Sequence, residues 1–536
     1  MPESTSVNQQ VRPARSRNSI YIVYRTVRTG LVASCKAVVF QDASGLFGCS
    51  GFRSGFRFAV QDLSLPVGAV WGDDAFMSLV LDGFQGAVLA PEDPDYGEAR
   101  RIWNGAIDRR PALITRCRGV EDAAVALAYA RRESLPLAVR GGGHNVSGSA
   151  LCEGGVVIDF SVLRGVQVDP GARVARVQPG ALWGDVDAGT QAHGLVTPGG
   201  IVTHTGVAGL TVGGGFGWLS RRWGLTSDNL LSARMLLADG DRVRAAADEN
   251  ADLFWAVRGG GGNFGIVTEF EFGLHKLGPT VLAGPILFRP NRREVLSFYR
   301  EFIAGAPDEL AVYLNLRTAP ALEWVPEDLR GTDVLLVIPC YSGDLDDGEA
   351  LLRPLREFGP PAADLVRRKP YVEHQSMFDA SVPHHWGYYW KSHYLPPLTE
   401  DAIDVLVERS WAKNSPASYT LLFHMGGAMI DGPVGGSAAS GRDAAHAMNI
   451  NAAWPAGGQD HVDIGWCREY FAAMEPHATG GEYVNFLHND EGEARIRASY
   501  GNGYQRLAQI KAIYDPENIF SSNQNIKPSA GQPAPS

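Results

Sequence analysis

The residues best placed to do chemistry sit in three glycine-rich turns. The first, VRGGGHNVSG, sets His144 directly behind Gly141, Gly142 and Gly143. A second triplet, Gly213, Gly214 and Gly215, lies in TVGGGFGWLSRRWGL, and a third run, RGGGGNFG, occupies 258–265. Three glycines in a row give up side chains and cost backbone entropy, so something bulky is expected to lie against bare main chain. Each turn alone reads as an ordinary tight turn. Together they offer three places where main-chain N–H groups converge on an anion, which holds phosphates without any net positive charge. A dinucleotide pyrophosphate suits that arrangement, and His144 would then stand beside the ligand.

Turns of this kind need elements to position them. In RPALITRCRGVEDAAVALAYARRESLPLAVRGGGH, an apolar run at 112–114 precedes Asp122 and a helical segment. Ala124, Leu127 and Ala128 fall at i, i+3 and i+4, which predicts one apolar helix face. The run LPLAV at 135–139 then delivers the chain into the first glycine turn, completing a β-α-β unit. GGVVIDFS reads as a short buried strand and ARVARVQPGA as another bounded by turn residues. WGDVDAGTQAHG has helical character. LLSARMLLADGDRV predicts two strands joined at Asp239 and Gly240, and the alternation in GIVTEFEFGL predicts a half-buried strand. Beyond Pro279 longer aromatic-rich strands take over (VLLVIPCY, YTLLFHMGGAMI), so a domain boundary is placed near 279. Residues 1–75 show no sustained period and read as a poorly specified extension. The tail AIYDPENIFSSNQNIKPS ends a helix at Asp515 and Pro516.

Bulk composition narrows the function. With 536 residues, 45% hydrophobic and 20% charged, the chain is globular and large enough for two or three structural units. A formal net charge of −11 argues against a general nucleic-acid binder, which needs basic surface to displace counterions. Cysteines 35, 49, 117, 152, 340 and 467 lie far apart with no CxxC pair, which points to neither a disulfide scaffold nor a zinc site and favours a reducing compartment. The basic N-terminal stretch IYIVYRTVRTGLVASCK is broken by Arg25, Arg28 and Lys36, unlike a secretory h-region, and no run approaches the ~20 apolar residues that span a bilayer. A cytoplasmic protein acting on a small molecule, without nucleic acid or membrane as partner, is expected. No GxGxxG opens a helix after a first strand with an acid ~20 positions on, and GxxxxGK[ST] is absent, which disfavours a nicotinamide Rossmann unit and a P-loop. Asn145-Val146-Ser147 fits a glycosylation acceptor by accident of sequence.

Five stretches, in order, carry a resemblance: RGGGHNVSG, GGVVIDFS, THTGVAGLTVGGGFGWLSRRWGLTSDNL, LFWAVRGGGGNFGIVTEFEF, and a tail with YVNFL, YGNGYQRL and YDPENIFSSNQNI. The chain resembles the FAD-linked oxidases of the berberine-bridge-enzyme-like group, within the wider vanillyl-alcohol-oxidase superfamily. The similarity begins near Gly83 and runs to Pro528. It implies an α+β fold: a PCMH-type bipartite FAD-binding domain plus a substrate domain with an antiparallel sheet backed by helices. The boundaries expected are an FAD-binding domain at 76–278 with its core at about 109–278, a substrate domain at 279–505, and a segment 506–536 returning to the FAD domain.

The resemblance also assigns roles. His144 matches the histidine bonded to the flavin 8α-methyl in this family, a sensible pairing of a nucleophilic neutral imidazole with an electrophilic carbon. Arg140, Gly141, Gly142 and Gly143 match the turn that wraps the pyrophosphate, with Gly148 and Ser149 just beyond it. Gly209, Gly213, Gly214, Gly215 and Gly217 match the second cofactor-lining segment, Gly265, Ile266 and Val267 the strand edge near the adenine, and Asn523 and Gln524 the returning tail. Some relatives hold the flavin by a second bond, to a cysteine. Here that position is Val202, so one bond is expected, and Cys152 is read as buried or incidental. Thr205 occupies a position that influences oxygen access in relatives.

Tyr483 and Asn485 match a Tyr-x-Asn motif lying over the flavin from the substrate side. A tyrosine with an ordinary pKa near 10 is a poor base unless its neighbours help, so Tyr483 is read as either a base or a substrate-orienting residue. The cluster HHWGYYWKSHY at 384–394 either lines the pocket with aromatic walls or is sheet packing. His384 and His385, adjacent on a strand, would point to opposite faces and make no metal pair. The reaction implied is removal of hydride from a C–H bond beside oxygen or nitrogen of an alcohol, sugar or amine, with dioxygen reoxidising the flavin and yielding hydrogen peroxide, in a monomer or homodimer. A dehydrogenase with another acceptor, a flavin carrier without turnover and a nicotinamide-dependent reductase are the alternatives.

Overall fold

The computed structural model describes residues 78–458 and 461–530, together with the strands Ile20–Arg25, Ser34–Val39 and Val67–Val70. Contacts divide the chain into two units, 1–82 and 83–536. In the first, Ile20–Arg25 pairs antiparallel with Ser34–Val39, and Val67–Val70 with Ser78–Leu81. Three of these strands, Ile20–Arg25, Ser34–Val39 and Val67–Val70, fall in the stretch 1–75 read above as a poorly specified extension; the rest of 1–75 lies outside the described residues.

The second unit opens with the β-α-β that the glycine turn requires. Leu113–Arg116, the helix Val120–Arg132 and Leu137–Arg140 follow in order, and Val156–Asp159 inserts between the two strands, parallel to both. Ala87–Leu89 adds an antiparallel edge. The helix carries Glu121 and Asp122 in its first turn and Arg131 and Arg132 in its last, matching the helix dipole at both ends. Its buried face is Ala123, Ala126, Leu127 and Ala130, whereas Ala128 is exposed and Ala124 half-buried, so the face predicted from 124, 127 and 128 is displaced. Alanines populate several sides of this helix, and the longer i, i+3, i+4, i+7 set wins because it buries more. Five antiparallel strands follow in the order Arg242–Ala246, Leu230–Leu236, Ile266–Gly273, Val174–Val177, Val166–Asp169.

From Thr280–Ala283 onward the chain builds a nine-stranded sheet whose pairings are antiparallel. Its strands alternate cleanly. In Leu310–Thr318, Leu310, Val312, Leu314 and Leu316 join one apolar cluster while Ala311 and Tyr313 join the other. The first cluster is closed by the helices Arg293–Ala304, Leu345–Glu357, Glu400–Arg409 and His461–Met474, through side chains such as Tyr299, Leu352, Leu406 and Tyr470. Each such aliphatic side chain contributes ~1.5–3 kcal/mol on burial, which pins the strand register. The opposite face, carrying Tyr388, Tyr419, Leu421 and Phe423, packs with Trp103, Phe216 and Tyr483. Downstream, Leu487, Tyr500, Leu507 and Ile526 share a cluster with Trp183, which opens the helix Trp183–Gln191, and with Phe270 of the five-stranded sheet.

Cys117, Cys152, Cys340 and Cys467 are free and buried. Burial pushes the Cys152 thiol up to about 11, and its Sγ rests on Pro136 and Val156 main-chain oxygens. Among the described residues no helix is long and apolar enough to cross a membrane.

Candidate active site

A cavity of about 310 Å³ runs between the glycine-rich turns and the face of the nine-stranded sheet that carries Tyr419, Leu421 and Phe423. Gly141, Gly142, Gly143, His144, Ser149, Gly209, Gly265, Ile266, Val267, Tyr483, Asn485, Asn523 and Gln524 all line it. Arg140, Gly148, Gly213, Gly214, Gly215 and Gly217 do not. They stand behind the wall. Arg140 donates to the Ala99 carbonyl at 2.6 Å and lies 4.0 Å from Asp159. Gly148 turns at φ +74°. Gly213 admits the Asn485 carboxamide against its Cα, and the Gly215 N–H donates to the Tyr483 hydroxyl at 2.9 Å.

The first turn presents the donors that an anion cradle needs. Among the described residues the main-chain N–H groups of Gly141, Gly142, Gly143, His144 and Asn145 make no hydrogen bond, although Gly143 is buried. Buried donors are normally satisfied. A phosphate would satisfy these at ~1.5–3 kcal/mol for each charge-assisted bond. That compensates for a cavity wall that, among the described residues, contains no lysine or arginine. Gly209 sits mid-helix in Val207–Val212 and faces the cavity, with nothing within 4 Å of where a Cβ would stand. At the far end the tail closes on the third turn: Asn523 donates to Gly262 O at 3.0 Å, and the Gln524 carbonyl accepts from Tyr500 at 3.1 Å. An elongated, phosphate-bearing dinucleotide fits these features.

His144 is fixed on two sides. Its ring stacks on Trp103 at 4.2 Å and 15°, and Trp103 stacks in turn on Tyr388 at 3.8 Å. Its Nε2 meets His204 Nδ1 at 3.1 Å, leaving Nδ1 as the remaining nucleophilic position. Burial, reinforced by His204 and His384, holds its pKa well below the ordinary imidazole range, so it is neutral at physiological pH. Val202 and Thr205 both line the cavity.

Across the cavity lies the sheet floor. Trp390, Asn451 and Tyr419 form one cross-strand rung, and Leu421 pairs with Asn449 on the next. Asn449 is 3% exposed and its Oδ1 has no hydrogen-bond partner among the described residues. Tyr483 is buried beneath Phe216, and its hydroxyl accepts from both Gly215 N–H and Asn485 Nδ2, the latter at 2.7 Å. With both lone pairs engaged, its O–H is free only to donate. Burial pushes its pKa above the ordinary tyrosine range despite those two donors. This geometry disfavours the resting-base reading and favours orientation of a substrate.

The 384–394 cluster divides between the two readings offered for it. Trp390 lines the cavity, while His393 packs on Phe471 behind the sheet. His384 and His385 precede the strand Gly387–Leu395 instead of lying in it. His385 turns at φ +67° and its N–H donates to Trp103 O, so the expected opposite-face geometry does not apply. His384 faces the His204 ring at 4.7 Å.

Sequence reasoning missed Trp103, His204, Asn449 and Asn451, and reached Trp390 only as one member of the 384–394 cluster. For the asparagines a signal existed: in HAMNINAAW two amides recur at a spacing of two within an otherwise apolar strand, so both must share one face. His204 is separated from His144 by 60 positions, and no local pattern announces their meeting.

Residues 111–246 match the FAD binding domain family and 482–527 the family described as berberine and berberine like. The (R)-6-hydroxynicotine oxidase of Paenarthrobacter nicotinovorans is 31% identical over 463 residues, covering 83% of this chain and 97% of that protein. The crystal structure of 6-hydroxy-D-nicotine oxidase from Arthrobacter nicotinovorans superimposes with a TM-score of 0.76 at 28% identity, covering 83% of this chain and 98% of the other. Glucooligosaccharide oxidase from Acremonium strictum, described as carrying a 6-S-cysteinyl, 8α-N1-histidyl FAD, shares the fold at a TM-score of 0.74 and 22% identity, over 83% and 98% of the two chains. The chain belongs to the berberine-bridge-enzyme-like family of FAD-linked oxidoreductases.

Proposed function

We propose that the protein is an oxidase whose FAD is attached through His144 alone, and that it takes hydride from a carbon bearing a hydroxyl or amine on a small, uncharged, aromatic-faced substrate. The observation that carries this is the fixed, neutral His144 at the end of a turn of unengaged N–H groups. Bound FAD supplies the two-electron acceptor, and dioxygen is the proposed final acceptor, giving hydrogen peroxide. The rest falls to the chain. Gly141, Gly142 and Gly143 hold the pyrophosphate, and Val202 stands where relatives with a second bond have cysteine. Trp390, Tyr419 and Phe423 exclude water and stack on the substrate. Tyr483 donates a hydrogen bond to the substrate heteroatom, and Asn449 Oδ1 accepts one from the reacting O–H or N–H.

Among the described residues no lysine, arginine, aspartate or glutamate lines the cavity, which favours an uncharged ligand over an ionic one. The test begins with acid precipitation of the purified protein: flavin should remain with the pellet, and His144→Ala should release it. Retention of acid-stable flavin by that variant would remove His144 from the role. Anaerobic bleaching of the flavin against a panel of aromatic secondary amines, aromatic alcohols and oligosaccharides then reads the substrate class, and peroxide yield under air reads the acceptor. Bleaching by oligosaccharides alone would overturn the aromatic assignment.

A further inference from the structure

His204 has no place in the glycine cradle or on the substrate floor, yet among the described residues it makes the one side-chain hydrogen bond of His144. Two imidazole nitrogens at 3.1 Å share a single proton. If His204 Nδ1 carried it, neutral His144 would be protonated at Nδ1 and have no lone pair there to react. With the proton on His144 Nε2, the Nδ1 lone pair is free and His204 Nδ1 is the acceptor.

We infer that His204 is a positioning residue for flavin attachment: it selects the reactive tautomer of His144 and takes the Nε2 proton as the bond forms. This rests on the proposed attachment through His144. Attachment joins Nδ1 to the flavin 8α carbon, which gives up one hydrogen as a proton. The electron pair of that C–H bond is left in the ring, which ends reduced, and dioxygen removes the two electrons with two protons as hydrogen peroxide. The imidazole has then committed its Nδ1 lone pair and would be cationic in a buried site, at a cost of several kcal/mol. Transfer of the Nε2 proton to His204 moves that charge away from the flavin.

The surroundings suit an acceptor there. Thr203, next in the chain, binds both carboxylate oxygens of Asp379 through its N–H and its hydroxyl. Burial lowers the basicity of His204 overall, and Asp379 offsets part of that loss. The groups facing His204 are His144, His384 and Asp379; the neutral His384 ring lies at 4.7 Å, and His204 Nε2 has no hydrogen-bond partner among the described residues. Stacking on Trp103 keeps the His144 ring from turning over and exchanging its two nitrogens.

The experiment mixes full-length apoprotein with FAD under air and follows acid-stable flavin fluorescence with time, alongside non-covalent FAD affinity from fluorescence quenching. His204→Asn retains a carbonyl that accepts from Nε2 but takes no proton; His204→Ala removes both functions. Both should slow bond formation by about a hundredfold while FAD affinity stays within about threefold of wild type, and free imidazole should restore much of the rate in His204→Ala. A wild-type rate in either variant, a slowing matched by weaker FAD binding, or no rescue by imidazole would overturn the role of His204. Acid-stable flavin in His144→Ala would instead overturn the attachment on which it rests.

Discussion

At the residue scale the site is decided by which lone pairs are already occupied. Tyr483 spends both of its lone pairs on Gly215 N–H and Asn485 Nδ2, so it meets a substrate as a donor. The same two donors wait for negative charge on the phenolic oxygen, but burial outweighs them and keeps the hydroxyl protonated. Tyr483→Phe should therefore lower kcat by about a hundredfold, the usual loss when one preorganised donor to a reacting oxygen is removed, while acid-stable flavin is unchanged. Steady-state kinetics with any substrate found by anaerobic bleaching reads this directly; a change under about twofold would withdraw the role. A pH profile adds a second check. Tyr483 is pushed above its ordinary value and Tyr419 up to about 12 by burial, so kcat should show no step from tyrosine ionisation as pH rises from 7 to ~10. A tyrosine acting as resting base would give an activity that climbs across that range.

Elements explain why glycine occurs where it does, and why only part of that was legible. The turn after Leu137–Arg140 could be read from three consecutive glycines, and its histidine followed by adjacency. Less visible was that the glycines serve two different purposes. Gly142 and Gly206 touch main chain to main chain: a Cβ on Gly142 would stand 2.5 Å from the Gly206 Cα, and one on Gly206 2.6 Å from the Gly142 N. Gly209, by contrast, faces open cavity from within Val207–Val212. The two kinds part company on substitution. Gly206→Ala should destabilise even the apoprotein, by ~1–3 kcal/mol of overpacking. Gly209→Leu should leave the apoprotein as stable as before or better, since glycine costs ~1 kcal/mol inside a helix, yet block FAD by placing its side chain where the cofactor lies. Thermal unfolding of both apoproteins with an FAD titration separates them; FAD affinity unchanged in Gly209→Leu would show that the helix is not a cofactor wall. Helix faces were less legible than turns, because alanine-rich helices such as Val120–Arg132 fit more than one apolar stripe and only tertiary burial decides.

Over the whole molecule, the order of turns, strands and helices was readable because each carries a local period, whereas the meeting of distant side chains was not. His144 with His204, and Tyr299 with His446, are contacts between segments with no shared pattern. The same packing leaves the molecule with many neutral, buried imidazoles. Burial pulls His374 down to about 3 and His275, His393 and His446 each to about 4. In the unfolded chain each takes a proton near pH 6.5, in the native state only near 3–4. The unfolded state thus binds more protons throughout that interval, so stability is fully present above about pH 6.5 and lost as pH falls through it. Asp187 acts in the opposite direction. Burial raises its carboxyl to about 8, so its contribution is present at low pH and lost as pH rises toward 8. Glu482, raised by its burial, acts with Asp187, but among the described residues nine histidines lowered by burial outnumber these two carboxylates, so acid lability is the net expectation, with the melting temperature falling steadily from pH 6.5 to 4.5. His446 isolates one contribution: its ring is fully buried and its Nε2 meets the Tyr299 hydroxyl at 3.2 Å. Glutamine there keeps a donor for Tyr299 and cannot titrate. His446→Gln should therefore lose less stability than wild type between pH 6.5 and 4.5, by up to about 3 kcal/mol by pH 4, measured by urea unfolding at each pH. Parallel stability curves for the two proteins would mean that His446 is already protonated in the native state, and that its burial is balanced by charge pairing instead of neutrality.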